Sequence, residues 1–192
     1  MTLKNIYHDN FTTHLKTIET SKELLSEYVI NAGQILAHSI NNTGTLFWCG
    51  NGGSAADSQH LAAELVGRFK ENRRALRSIA LTTDTSVLTC VANDFSYDDI
   101  FSRQIEALGR EGDVLIAITT SGKSENILRV MKVAKEMGLI TVALLGKGGG
   151  AAKKYADHAL VVPSDSTARI QEAHMLIGHI LCEIIEKELG LD

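Results

Sequence analysis

The residues best suited to chemistry in this sequence are His60 and Glu64. An imidazole and a carboxylate at i and i+4 share one face of a helix. So placed, they can ligate one divalent metal or work as a proton-transfer pair. Just upstream, Gly50, Asn51, Gly52, Gly53 and Ser54 form a loop whose backbone can turn tightly and come close to a ligand. A helix beginning at Ser54 turns unpaired N–H groups and its positive dipole end toward an anion such as phosphate. Thr119, Thr120, Ser121, Gly122, Lys123 and Ser124 repeat that logic with hydroxyls in place of glycines. Side-chain O–H and backbone N–H groups converging at a second helix start suit the terminal oxygens of a phosphate ester. Arg68 continues the His60 and Glu64 face, a position from which it would steer an anion at the cleft mouth.

These side chains need elements to hold them. Apolar runs bounded by turn residues predict strands at 46–49, 78–82, 114–118, 140–145 and 159–162. The first runs into the glycine loop and the third into the hydroxyl loop. Between the strands lie helical patterns, with Asp84 as the cap of a helix over 85–92, Asn93 and Asp94 as an interruption, and a further helix over 97–108. Residues 169–189 read as a long helix with Ile170, Ala173, Leu176, Ile177, Ile180, Leu181, Ile184 and Ile185 as its core stripe, and with Gln171 and His179 beside it. Strand alternating with helix is the pattern of an open parallel α/β sheet, whose ligands bind at the C-terminal ends of the strands. Residues 3–42 carry helical periodicity and predict two helices, the second capped by Thr20 and Glu23. The expected organisation is one structural domain, with a helical region over 1–44 that packs on the body over 45–192 and on neighbouring subunits.

Other readings of the same motifs are weaker. Gly50 to Ala55 satisfies G-x-G-x-x-A, but the ribose-binding acid of a dinucleotide site falls about 20 residues beyond the glycines, whereas Asp84 lies 34 beyond Gly50. The hydroxyl loop holds Gly122, Lys123 and Ser124, yet Ala117 stands where a P-loop needs its first glycine. His8, His14, His38, His158 and His174 read as structural histidines. The basic residues Lys70, Arg73, Arg74 and Arg77 read as a solvated face.

Composition sets the outer bounds. A chain of 192 residues with 19 basic and 23 acidic side chains, net charge −4, has no basic excess of the kind that announces nucleic-acid binding. The 3 cysteines, Cys49, Cys90 and Cys182, are widely spaced and odd in number, which argues against a disulfide framework and fits a reducing cytoplasm. No targeting segment or membrane span is expected.

Three segments taken together, CGNGGSAADSQHLAAEL, ANDFSYDDIFSRQIEALGREGDVLIAITTSGKSENI and TARIQEAHMLIGHIL, resemble the sugar isomerase (SIS) fold and, within it, the phosphoheptose isomerase family. The resemblance spans nearly the whole chain. It implies a single SIS domain, conversion of sedoheptulose 7-phosphate to D-glycero-D-manno-heptose 7-phosphate through an enediol, and a place at the first step toward ADP- or GDP-heptose for lipopolysaccharide or another surface glycan. It also implies a homotetramer with active sites between subunits and one zinc ion in each. By this resemblance Asn51, Gly52, Gly53 and Ser54 match the first substrate loop, Thr119, Thr120, Ser121 and Ser124 the phosphate loop, and Asn93 and Asp94 substrate contacts. His60, Glu64, Gln171 and His179 match the zinc site, with Glu64 and His179 also the acid/base pair and Gln171 also touching substrate. The chain departs from the family at Thr119, where serine is often found, and at Ala168, where some relatives have aspartate. Gln171 and His179 are eight residues apart, about 12 Å along a straight helix, so one of them is expected to come from a neighbouring chain. The alternative class is a non-catalytic SIS protein of the kind that associates with the DnaA initiator; such relatives lack the full acid/base set.

Overall fold

The computed structural model describes residues 1–191. Its centre is a five-stranded, wholly parallel sheet in the order β2-β1-β3-β4-β5, formed by β1 (Leu46–Gly50), β2 (Ser78–Ala80), β3 (Val114–Thr119), β4 (Ile140–Leu145) and β5 (His158–Val161). Every residue of β1 and β3 is buried, as expected of strands covered on both faces, whose sequences run apolar without alternation. Alternate side chains nevertheless enter different cores. Leu46, Trp48, Val114, Ile116, Ile118, Val142 and Leu144 meet the α1, α2 and α6 side. Phe47, Cys49, Leu115, Ala117, Ala143 and Leu145 meet the α3, α4 and α5 side. Here α1 is Leu3–Asn41, α2 Gly53–Val66, α3 Thr85–Asp94, α4 Ser102–Leu108, α5 Glu125–Glu136 and α6 Thr167–Glu188. Each large side chain buried in these layers stabilises the fold by roughly 1.5–3 kcal/mol. Trp48 is fully buried because its one polar atom is satisfied: Nε1 donates to Ser78 Oγ at 2.9 Å.

The strand order decides where a ligand can sit. In a sheet ordered 2-1-3-4-5 the chain reverses its direction of winding between β1 and β3, and the crevice beyond their carboxyl ends is left open. Gly50 of β1 pairs with Ile118 of β3, so the two sequence-predicted loops leave the sheet side by side.

Several local expectations are corrected. Residues 3–42 form one helix of 39 residues, not two. Thr20 does not cap; its hydroxyl donates to the Lys16 carbonyl at 2.9 Å, as Thr17 and Ser21 do to Thr13 and Thr17. Bonding of this kind within the preceding turn lets hydroxyl residues stay inside a helix. β2 is only 3 residues long. The predicted helix over 97–108 is a 3-10 turn, Tyr97–Asp99, followed by α4, because Ser96 Oγ accepts from the Asp98 amide and starts a separate turn. Asn93 and Asp94 do not interrupt α3 but form its last turn. On α6, Leu176 and Ile180 are exposed and not in the core.

The C-terminal half of α1 packs into the body through Leu25, Val29, Leu36 and Ile40, while Leu3, Ile6, Tyr7, Phe11 and Leu15 near its start stay exposed. Arg169, at the start of α6, holds the outer part of α1 by donating to Asn10 Oδ1 at 2.7 Å and to Glu172 Oε1 at 2.5 Å, and Glu172 Oε2 meets His14 Nδ1 at 2.7 Å. His14 is thus a structural histidine. No helix among the described residues is long and apolar enough to cross a membrane.

Candidate active site

The first loop takes its shape from two glycines. Gly52 caps α2 at φ 58, a left-handed conformation that L side chains rarely adopt. A Cβ on Gly53 would collide with the Gln171 side-chain amide. The cap is therefore Gly52, and Ser54 lies buried inside the first turn. Asn51 is locked into a reciprocal amide pair with Asn126 on α5, its Nδ2 donating to Asn126 Oδ1 at 2.8 Å and its Oδ1 accepting from Asn126 Nδ2 at 2.9 Å. Tyr97 Oη also donates to Asn51 Oδ1, at 3.0 Å. Through Asn126 the first loop is fastened to the helix that follows the second.

In the second loop, Thr119 Oγ1 accepts from the Gly122 amide and Ser121 Oγ from the Lys123 amide, both at 3.2 Å. Each hydroxyl keeps its own hydrogen to donate outward. Ser124 occupies the N-cap of α5 without bonding the backbone there, and Thr120, Ser121 and Ser124 are half-buried. The loop thus presents donors at a helix start, as its sequence predicts.

α2 and α6 run alongside one another in the same direction, so their residues meet in step: Gly53 with Gln171, Leu61 with Gly178, His60 with His179. His60 Nε2 lies 2.9 Å from His179 Nε2 and 3.4 Å from Glu64 Oε1. Ligand atoms of these three residues all lie within 4.8 Å of one another. Two ligands held about 2.0 Å from a tetrahedral zinc stand about 3.3 Å apart, which matches that spacing. Two imidazoles and a carboxylate are also a donor set zinc favours, so the residues present fit the metal. Gln171 stays at Gly53, about 10 Å along α2 from His60.

Arg68 is placed differently from its expected role. α2 ends at Val66 with Gly67 as its cap, so the helical face does not continue to Arg68, which is exposed and donates to the Lys70 carbonyl at 3.5 Å. Asn93 and Asp94 are exposed on the last turn of α3 and hydrogen-bond each other and Cys90, not either loop.

Sequence reading missed four contributors. Arg73, expected in solvent, is 2% exposed in an ion pair with an equally buried Glu186, its Nε 2.8 Å from Glu186 Oε1. The Phe69 ring stacks on His179 with centroids 5.5 Å apart and planes 17° from parallel. Asp57, one turn before His60, has a buried Oδ2 without a hydrogen-bond partner among the described residues; burial raises its carboxyl above the usual range, against the opposing pull of His60. Tyr97 reaches back to Asn51. Only Asp57 carried a signal, its i−3 relation to His60; the others depend on how the chain returns in space. Cys182 lies close by, but burial foremost, then the charges of Glu64 and Glu186, push its thiol up to about 12. The clustered ligand atoms are the nitrogen and oxygen donors of His60, Glu64 and His179.

A SIS domain model matches residues 7–146. A phosphoheptose isomerase of Campylobacter jejuni is 52% identical over 183 residues, covering 95% of this chain and 98% of the relative. The chain belongs to the phosphoheptose isomerase family. Two solved members of the family have the same fold over 97% of this chain and all of theirs: the phosphoheptose isomerase of Neisseria gonorrhoeae, at TM-score 0.93 and 40% identity, and that of Francisella tularensis, at TM-score 0.95 and 37% identity. The expected SIS fold and parallel sheet are present, with one long helix where two N-terminal helices were expected.

Proposed function

We propose that the crevice between the residue 51–54 loop, the residue 119–124 loop and the His60, Glu64, His179 cluster isomerises sedoheptulose 7-phosphate to D-glycero-D-manno-heptose 7-phosphate. The observation that carries this reading is the meeting of Glu64 and His179 from two helices that pack on the sheet whose β1/β3 switch point carries the phosphate-type loop. The residue 119–124 loop and the start of α5 bind the phosphate. Asn51, Gly52, Gly53 and Ser54 shape the sugar side, with Gln171 behind Gly53.

The Glu64 carboxylate takes a proton from C1 while His179 gives one to the C2 carbonyl oxygen, which leaves the enediol. His179 then removes the proton from the C1 hydroxyl and Glu64 returns the carbon proton to C2, which leaves the aldehyde at C1. Atoms and electrons balance within the substrate, and the residues end as they began. His60, Glu64 and His179 would hold one zinc ion per site, which supplies Lewis-acid polarisation of the substrate oxygens. The non-catalytic alternative is not favoured, since the acid/base pair and the phosphate-type loop are both present.

The assignment extends to a cytoplasmic homotetramer whose product feeds lipopolysaccharide or another surface glycan. The exposed apolar length of α1 supports assembly. Sites shared between subunits would bring Gln171 of one chain to the cluster of another. Mixing Gln171→Ala with His179→Ala chains then restores part of the activity that each lacks alone; no recovery on subunit exchange removes the sharing. Incubation with sedoheptulose 7-phosphate tests the reaction itself, by aldose formation that a chelator suppresses and zinc restores. Absence of aldose at any metal loading overturns it.

A further inference from the structure

Beside the candidate site, α6 carries Glu186 seven residues after His179, hence on the same face. Its buried carboxylate makes no contact with the reacting cluster. It accepts instead from the Phe69 amide at 3.3 Å, the Lys70 amide at 3.4 Å and Arg73 Nε at 2.8 Å. Arg73 in turn donates to the backbone carbonyls of Glu64 at 2.9 Å, Leu65 at 2.8 Å and Gly67 at 3.1 Å. These are carbonyls that the end of α2 leaves without partners inside the helix. Between the two anchors the Phe69 ring lies flat on His179. One buried ion pair therefore grips both parts of the site, through the backbone of Glu64 on α2 and through the aromatic face packed on the imidazole of α6.

A solvated imidazole beside a carboxylate samples several rotamers, and a site held 1 Å too loosely loses catalytic power and metal affinity. We propose that Phe69, Arg73 and Glu186 are positioning residues that hold the His179 ring and the Glu64 end of α2 in register. This rests on the acid/base assignment above for its kinetic consequence and on geometry alone for its structural one. The clamp is a surface-to-core latch: Phe69 is half-buried, whereas the ion pair that seats it is 2% exposed on either side.

The test compares Phe69→Leu, Phe69→Tyr and Glu186→Gln with the wild-type holoenzyme, each checked for folding by thermal melting. Phe69→Leu keeps apolar packing but removes the stacked ring. It is expected to lower kcat roughly tenfold with KM within about twofold, and to weaken zinc binding, measured by competition with a chromophoric chelator, by roughly tenfold. Phe69→Tyr restores both. Glu186→Gln touches neither ring, yet is expected to shift the His179 Cε1–H resonance in the direction that Phe69→Leu shifts it, because releasing the backbone of Phe69 releases the stack. Should Glu186→Gln fail to fold, the Phe69 pair decides. Wild-type kcat and zinc affinity in a folded Phe69→Leu protein overturn the clamp, and so does a Phe69→Tyr protein no better than Phe69→Leu. A wild-type protein that binds zinc without isomerising the sugar phosphate overturns the functional reading instead, and the zinc and resonance comparisons still decide the clamp.

Discussion

Glu64 is held from two directions. Its carbonyl accepts from buried Arg73 and its carboxylate faces His60. Replacing it with glutamine keeps its size and one acceptor oxygen while removing the proposed base. General-base catalysis contributes roughly 10²–10⁴-fold, so Glu64→Gln is expected to lower kcat by at least about a hundredfold with little change in melting temperature. Steady-state kinetics beside a thermal melt checks this, and full turnover in the variant would remove Glu64 from the mechanism. The pairing of His60 with Glu64 was legible in the sequence because i and i+4 on one helix is a local relation. The role of Arg73 was not. A basic residue in a polar stretch reads as solvated until a distant carboxylate is seen beside it, and here that partner is 113 residues away.

At the scale of elements, α6 unites the site, since it presents Gln171, His174, His179 and Glu186 in turn toward the sheet and α2. His174 is fully buried, and its Nε2 donates to the Leu145 carbonyl at 3.0 Å, which pins α6 to the end of β4. Its Nδ1 finds no partner among the described residues, so the ring is neutral in the fold, and burial lowers its pKa from 6.5 to about 4. Between those values the unfolded chain binds a proton that the folded chain refuses, so stability falls as pH drops through the window from 6.5 to about 4. The loss attributable to this ring is about 3 kcal/mol. Urea melts at pH 7 and pH 5 are expected to differ less in His174→Gln than in the wild type. Glu172 and Asp157 are held below the usual carboxylate range, despite opposing desolvation, by Arg169 with His14 and by Lys135 with Thr141, and add their own loss at lower pH. The Arg73–Glu186 pair gives a second prediction at this scale. Truncation by Glu186→Ala leaves a buried guanidinium unpaired and is expected to cost about 3–5 kcal/mol, seen as a large fall in melting temperature.

For the whole molecule, the notable feature is the apolar surface on α1 and α6. Ile18, Leu25, Val29 and Ile30 with Leu176, Ile177 and Ile180 line a groove of about 380 Å³ between the two helices, and the first turns of α1 carry further exposed apolar side chains. A chain beginning at Ser21 is expected to lose oligomeric mass by light scattering if this face joins subunits, whereas an unchanged mass would place assembly elsewhere.

By itself the sequence determined the class of fold, the two loops and the His60–Glu64 pair, because buried strands, glycine turns and helical spacing are all local signals. It placed strand 140–145 as observed and the fifth strand within one residue. It misjudged α1, where a capping pattern in the middle of a helix is satisfied by bonding one turn back. It also carried the α2 face on to Arg68 where the helix ends at Val66, since where a helix stops depends on what grips its last carbonyls. Only the tertiary structure decided that β1 and β3 are neighbours, that α6 runs in step with α2, and that His179 therefore closes on His60 and Glu64 while Gln171 closes on Gly53. The meetings of α6 with α2 join residues more than 100 positions apart, and they are set by the packing of two helices on one sheet face, a relation that no local spacing encodes.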